Sequence, residues 1–268
     1  HGTCAYGFMK RYGFPTVVKM HSTWLEEYNR YRALGRRTGL MGTYVRMDRY
    51  CARKADAVIA ISELIARETA RYGVPGERIT VIHNGIDPAP FRKAEPARLP
   101  DGWEDCVVIG YIGRLAPHKG GTELARSFLK LAGRHDDVRL LVVGDGPSRE
   151  EMEMTLKPVA DRVLFKGYVP HGEVPGHYAA SHIMTYPTSY EPLGNVVLES
   201  MAAGRPLVAS RTGGIPEIFS QECGILVEPP SESGTEGLTG ALERLVSSRS
   251  LRDRMGARGP KHAGRYSW

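Results

Sequence analysis

Short apolar runs alternate with amphipathic stretches along most of this chain. Residues 16–20 (TVVKM), 56–62 (DAVIAIS), 78–82, 106–112, 138–143, 163–167 (VLFKG), 183–187, 206–210 and 224–227 (GILV) have the length and β-branched content of buried strands. Between them, 3.6-residue periodicity and end signals predict helices over 8–12, 25–31, 39–54, 63–72, 122–132, 148–157, 172–180, 195–203, 233–247 and 251–263. Ser62 is a good N-cap for the helix that follows it. Strands alternating with helices argue an α/β protein built on parallel sheets. Residues 88–105 interrupt the alternation. With Pro88, Pro90, Pro96, Pro100 and several charges they read as a linker. The expected organisation is a first domain over 1–87, a linker over 88–105 and a second domain over 106–268.

A length of 268 residues leaves ample core for two such domains, and 41% hydrophobic with 25% charged residues is ordinary for a soluble protein. No run of 18 apolar residues occurs, so no membrane span is expected. Cys4, Cys51, Cys106 and Cys223 have no metal-ligand spacing and no close pairing, which points to reduced thiols and a cytoplasmic setting. The first residue is His rather than Met and no signal peptide precedes it, so a fragment of a longer protein is expected.

The net charge of +6 raises nucleic acid, anionic lipid or a phosphorylated substrate as partners. No basic-aromatic nucleic-acid motif is present, and no nucleic-acid partner is expected. Between Trp24 and Ala55 stand eight cations (Arg30, Arg32, Arg36, Arg37, Arg46, Arg49, Arg53, Lys54) against Glu26, Glu27 and Asp48, with tyrosines interleaved. A solvated helix face with snorkelling arginine stems is one reading. Attraction to an anionic membrane surface or acceptor, at the inner face of a membrane, is the other.

The densest chemistry lies over residues 185–217. Glu191 and Glu199 stand with seven residues between them. Glu191 falls in the loop after a strand, where open α/β sheets bind ligands. The amides of Leu193, Gly194, Asn195 and Val196 open the next helix, and free helix-start amides form an anion site. Glu199 is surrounded by Val196, Val197, Leu198, Met201, Ala202 and Ala203, so its carboxylate needs a partner. That partner is either a nearby group of the protein or the hydroxyls of a ligand. A second candidate follows the strand over 106–112. Gly113 lets a phosphate approach the backbone, and Arg114 and Lys119 bracket the strand-to-helix loop with a planar fork and a mobile charge. Either a diphosphate site or plain surface cations fit that spacing. The loop lacks the Gly-x4-Gly-Lys-Ser/Thr of a Walker motif.

The two glutamates, the Gly-containing loop between them, the small-residue helix end and Gly213-Gly214-Ile215-Pro216-Glu217 agree in order with a family signature. With Gly113-Arg114-Leu115 and Lys119-Gly120, they make the chain resemble the retaining GT-B glycosyltransferases called glycosyl transferases group 1 (family 4). The resemblance covers nearly the whole chain. It implies a GT-B-like α/β fold of two Rossmann-type domains, the first incomplete. In the family an apolar strand with a His-rich turn precedes the point where this chain starts, and further helix follows Tyr266-Ser267-Trp268.

The implied reaction is hexosyl transfer, with retained configuration, from a nucleotide diphosphate to a hydroxyl of a glycan, lipid or small molecule, as in glycan biosynthesis. UDP is the first-choice nucleotide and GDP the second. No metal and no cofactor beyond the nucleotide-sugar donor are implied. Gly113, Arg114, Lys119 and the amides of residues 193–196 fall at diphosphate positions, Glu199 at the ribose and Glu191 at the transferred sugar. Lys166, Gly167 and Tyr168 fall in the loop that meets the nucleobase, where Tyr168 either stacks or packs under the loop. His21, after the strand over 16–20, falls near the sugar, although a lone His at a strand end also serves as a plain hydrogen-bonder. A sugar-nucleotide epimerase on a similar fold, or a binding half without activity, are the alternatives.

Overall fold

The computed structural model describes residues 13–23, 25, 28, 32, 39–230 and 234–268. The helix expected at 8–12, most of that expected at 25–31, and Arg30, Arg36, Arg37 and Ser233 lie outside the described residues. The chain divides into two compact units, His1–Asn84 and Gly85–Trp268. Among the described residues no helix is long and apolar enough to cross a membrane.

The first unit holds a parallel sheet in the order β1-β2-β3, from Val17–Met20, Ala57–Ala60 and Ile79–Val81. Helix α1 (Met41–Lys54) leads into β2, and α2 (Glu63–Arg71) connects β2 to β3. The Ser62 hydroxyl caps α2 as expected, accepting from the Ile65 amide at 3.2 Å. Asp56 accepts from the Thr16 amide and hydroxyl at 2.7 and 2.9 Å, which ties the start of β2 to the start of β1. Strands this short gain little from their own ladder. Burial of Val58 and Ala60 on β2, of Ile61 after it and of Ile65 on α2 supplies the rest.

The second unit starts earlier than the sequence suggests. Residues 88–105 are not a free linker. They contain a short helix, α3 (Ala89–Lys93), whose Phe91 is buried edge-on against Tyr178 at 5.5 Å between ring centroids. Burying a Phe stabilises by about 1.5–3 kcal/mol, and an edge-to-face pair adds about 0.5–1.5 kcal/mol. One aromatic anchor therefore outweighs the proline and charge content on which the linker reading rested. The Ala97 amide adds a bond to the Gly176 carbonyl at 2.9 Å.

Six strands follow: β4 (Val107–Ile112), β5 (Val138–Val143), β6 (Val163–Gly167), β7 (Ile183–Tyr186), β8 (Leu207–Ser210) and β9 (Gly224–Val227). All pair in parallel, in the order β6-β5-β4-β7-β8-β9. The chain winds outward from β4 to β6, then restarts at β7 on the other side of β4. That reversal is the topological switch point of a doubly wound sheet, where ligands bind beyond the strands' carboxyl ends. Helices α4 (Gly121–Ala132), α5 (Arg149–Leu156) and α9 (Glu236–Val246) bury Leu124, Phe128, Met152 and Leu242 on one face, against Ile109, Tyr111, Leu140 and Val142. Helices α6 (Val174–Ala180) and α7 (Asn195–Ala202) pack on β4 and on β7 and β8. After the short α8 (Ile215–Ile218), α10 (Arg249–Ala263) crosses α7 closely.

Candidate functional site

Strands β4 and β7 are neighbours at the switch point, so the loops that leave them must meet. The first loop runs through Gly113 and Arg114 to a 3-10 turn, Pro117–Lys119, and then to α4. The second runs from Pro187 through Glu191 to α7. They are stitched together at His118, whose carbonyl accepts from the Ser189 amide and the Thr188 hydroxyl, each at 2.8 Å. The loops also touch at Gly120, where φ is +73° and a Cβ would lie 1.9 Å from the Pro187 carbonyl oxygen. Only glycine fits there.

This closure brings two predicted site residues into contact. Lys119 Nζ donates to Glu191 Oε2 at 2.7 Å, with the two side chains only 18% and 12% exposed. Glu191 lies in the loop after a strand, as expected, and its carboxylate is largely covered. The Tyr186 hydroxyl donates to the same Glu191 Oε2 and accepts from Lys119 Nζ at 3.0 Å. Burial pushes the Tyr186 phenol well above its ordinary pKa, and the adjacent Glu191 charge adds to this, so the phenol stays a donor. The backbone of Glu191 is held from below. The Gly214 amide donates to its carbonyl at 3.0 Å, and at Gly213, with φ of +58°, a Cβ would lie 1.8 Å from that carbonyl oxygen. The Gly213-Gly214 turn is thus a rest for the Glu191 main chain.

Arg114 is exposed, and its side chain pairs with no carboxylate among the described residues. Its main chain is fixed: the Tyr111 hydroxyl donates to the Arg114 carbonyl at 3.0 Å. Gly113 and Gly144 lie so close that a Cβ on Gly144 would sit 2.0 Å from the Gly113 carbonyl oxygen. Helix α7 begins at Asn195 with no side-chain cap. The amides of Leu193, Gly194, Asn195 and Val196 have no acceptor among the described residues. Four amides and the positive end of the helix dipole are therefore free to meet negative charge.

Glu199 finds its partner inside the protein. Tyr178, fully buried, donates its hydroxyl to Glu199 Oε2 at 2.7 Å. Burial raises the carboxyl's pKa, and the Tyr178 bond opposes part of that rise. The Tyr178 phenol is itself pushed well above its usual value, first by burial and then by the Glu199 charge.

The base-binding candidates lie two strands away, at the end of β6. Gly167 has φ of +74°, and its carbonyl accepts from the Gly144 amide at 2.8 Å. Tyr168 is 83% exposed, so it does not pack under its loop, and its ring is open for stacking. Lys166 is exposed beside a cavity of about 470 Å³ that His177 and Glu173 also line. His21 belongs to the first unit, exposed at the bend that follows β1. Its pKa is lowered by partial burial and then by Lys19.

Three tyrosines escaped the sequence reading. The hydroxyl of Tyr111 bonds Arg114 and Lys119, that of Tyr186 bonds Lys119 and Glu191, and that of Tyr178 bonds Glu199. The available signal was that a phenol inside a strand or buried helix must find a partner. Only the tertiary fold says which.

The second unit matches the model for glycosyl transferases group 1 over residues 106–248, and residues 1–90 match glycosyltransferase family 4. The alpha-D-kanosaminyltransferase of Streptomyces kanamyceticus is 29% identical over 265 residues, covering 95% of this chain and 67% of that protein. The 2-deoxystreptamine glucosyltransferase of the same organism is 30% identical over 229 residues, covering 82% of this chain and 59% of that protein. This chain thus spans about two thirds or less of these relatives' length. Among solved structures, Anabaena Alr3699/HepE in complex with UDP and glucose aligns with a TM-score of 0.79 at 22% identity, over 99% of this chain and 70% of that one. Sucrose-phosphate synthase from Thermosynechococcus elongatus aligns with a TM-score of 0.80 at 23% identity, over 98% of this chain and 67% of that one. At these identities the likeness speaks for the GT-B fold alone.

Proposed function

The chain belongs to the glycosyl transferases of group 1, and on that premise we propose that its protein transfers a hexose from a nucleotide diphosphate to an acceptor hydroxyl with retained configuration. The observation that carries this reading is the meeting of the Arg114–Lys119 loop with the Glu191 loop at the switch point, sealed by the Lys119–Glu191 contact. In the reaction the bond from the anomeric carbon to the diphosphate oxygen breaks, and its electron pair leaves with the nucleoside diphosphate. The acceptor oxygen bonds to the anomeric carbon, and its proton passes to the departing phosphate.

The difficult feature is negative charge growing on the leaving group. Arg114 and the free amides at Leu193–Val196 would receive it as they stand, the arrangement that lowers such barriers most, and Lys119 would do so by turning from Glu191. These groups supply the positive charge that a metal otherwise provides, so no metal or other cofactor is assigned. Glu199, fixed by Tyr178, would accept from the ribose hydroxyls. Glu191, fixed by Tyr186 and Lys119, would face the transferred sugar and offset positive charge at its anomeric carbon. His21 would stand on the acceptor side, and Tyr168 would stack on the base. UDP is the favoured nucleotide, a choice supported by the UDP bound in a fold neighbour. The name of one relative, a 2-deoxystreptamine glucosyltransferase, favours a small hydroxylated acceptor over a polymer.

Calorimetry with UDP, followed by radiolabelled transfer from UDP-glucose to aminocyclitol and lipid acceptors, tests the proposal. UDP binding with labelled product supports it. UDP binding without transfer to either acceptor class would leave a nucleotide-sugar-binding protein and overturn the catalytic reading.

A further inference from the structure

We propose that the first unit carries a second anion site, a basic cavity that binds a phosphate-bearing ligand and is separate from the donor site. The cavity, of about 600 Å³, is lined by Arg46, Arg49, Arg53, Lys54 and Arg78, with Tyr50, Gly73 and Pro75. None of these lining residues is acidic. Arg46, Arg49, Tyr50 and Arg53 recur on α1 at the three- and four-residue spacing that shares one helix face. Arg78 arrives from the 3-10 turn before β3.

Two guanidinium groups are anchored by backbone. Arg49 Nε donates to the Tyr72 carbonyl at 3.1 Å, which leaves its terminal nitrogens available. Arg78 Nη1 donates to the carbonyls of Arg53 and Ala55 at 3.2 and 3.0 Å, leaving Nε and Nη2. Capping of helix-end carbonyls explains these three bonds. It does not explain Arg46 and Arg53, which pair with no carboxylate among the described residues. The Arg53 guanidinium lies against Gly73, where a Cβ would be 3.7 Å from Nε. Like charges gathered in one concavity repel, and a compact multivalent anion relieves that repulsion. A phosphate group carries nearly two negative charges at neutral pH and matches the guanidinium fork with paired oxygens.

The position in the fold argues for a separate role. Lys54 and Arg78 precede β2 and β3, so the cavity lies at the amino ends of the strands. Substrates of open α/β sheets bind at the carboxyl ends, the end of this sheet from which His21 extends. The phosphate can come from a soluble phosphorylated compound or from the headgroup of an anionic lipid.

Inorganic pyrophosphate is the probe, titrated by calorimetry into protein carrying Arg114→Ala, which removes the exposed cation of the donor loop. Binding should persist there and fall at least tenfold when Arg46→Ala and Arg53→Ala are added, with an unchanged circular dichroism spectrum because both side chains are exposed. Co-sedimentation with phosphatidylcholine vesicles, with and without phosphatidic acid, separates the sources. Vesicle binding that requires phosphatidic acid and the two arginines, and that pyrophosphate competes away, assigns a lipid headgroup. Pyrophosphate binding alone assigns a soluble phosphate. Affinity for both probes that is unchanged by the arginine substitutions, or that vanishes with Arg114→Ala alone, overturns the site. Neither result depends on whether the protein transfers sugar.

Discussion

Lys119 and Glu191 lie 72 positions apart in the chain and 2.7 Å apart in the fold. One comes from the loop after β4 and the other from the loop after β7. Their contact exists because those strands are neighbours across the switch point. The residues assigned to the leaving diphosphate and to the sugar therefore hold each other in the free protein.

Glu191→Gln should lower kcat by about 10²-fold, the scale for losing one preorganised charged group. UDP affinity should stay near wild type or tighten, because Lys119 is released from its partner. Calorimetry and initial rates on an active full-length enzyme separate the two effects. Loss of UDP binding with kcat preserved would reverse the assignment.

Arg114→Ala removes charge-assisted hydrogen bonds worth about 1.5–3 kcal/mol each. Affinity for UDP should drop tenfold or more while affinity for uridine barely changes. Equal losses for the two ligands would place Arg114 away from the diphosphate.

Tyr186→Phe deletes a hydroxyl shared by Lys119 and Glu191. It leaves a mostly covered carboxylate short of one donor, at a cost of about 1–3 kcal/mol. The urea midpoint should fall, and kcat should fall more than UDP affinity. A variant with wild-type kcat would show that the tyrosine only fills space.

Glu199 predicts a pH dependence. Burial raises its folded pKa above the unfolded value of about 4.3. The folded state then holds this proton to higher pH than the unfolded chain does. The stability linked to the group is full below the unfolded pKa and is lost as pH rises through the folded one. Glu199→Gln cannot ionise and should lack that loss. Urea midpoints of the two proteins, compared from about pH 4 upward, should diverge in favour of the variant. Parallel curves would mean that Glu199 does not titrate differently on folding.

Chelation should leave most transferase activity in place, because in the proposed reaction Arg114, Lys119 and the α7 amides would supply the positive charge at the leaving group. Abolition by EDTA with recovery on adding magnesium or manganese would require a metal in the reaction.

Local pattern was enough to establish the strands of both units and most of their described helices. Apolar runs of strand length and capping signals at residues such as Ser62 act over a few neighbours, and the sequence displays neighbours directly. The same holds for Gly113-Arg114, Lys119, Glu191 and Glu199 as marks of a family, since a motif is itself local. Residues 88–105 misled because composition weighs every residue alike, whereas the burial of Phe91 against Tyr178 decides the segment. Which groups meet was decided by tertiary structure alone. The order β6-β5-β4-β7-β8-β9 sets β4 beside β7, and that adjacency turns Lys119 and Glu191 into a pair. Tyr186 reaches Glu191 from only five positions away, at the end of the strand that precedes the loop, whereas the packing of α6 and α7 in the same unit brings Tyr178 onto Glu199 across 21 positions. A buried carboxylate announces in sequence that it needs a donor, but the donor comes from a distant stretch of chain, and only folding brings it near.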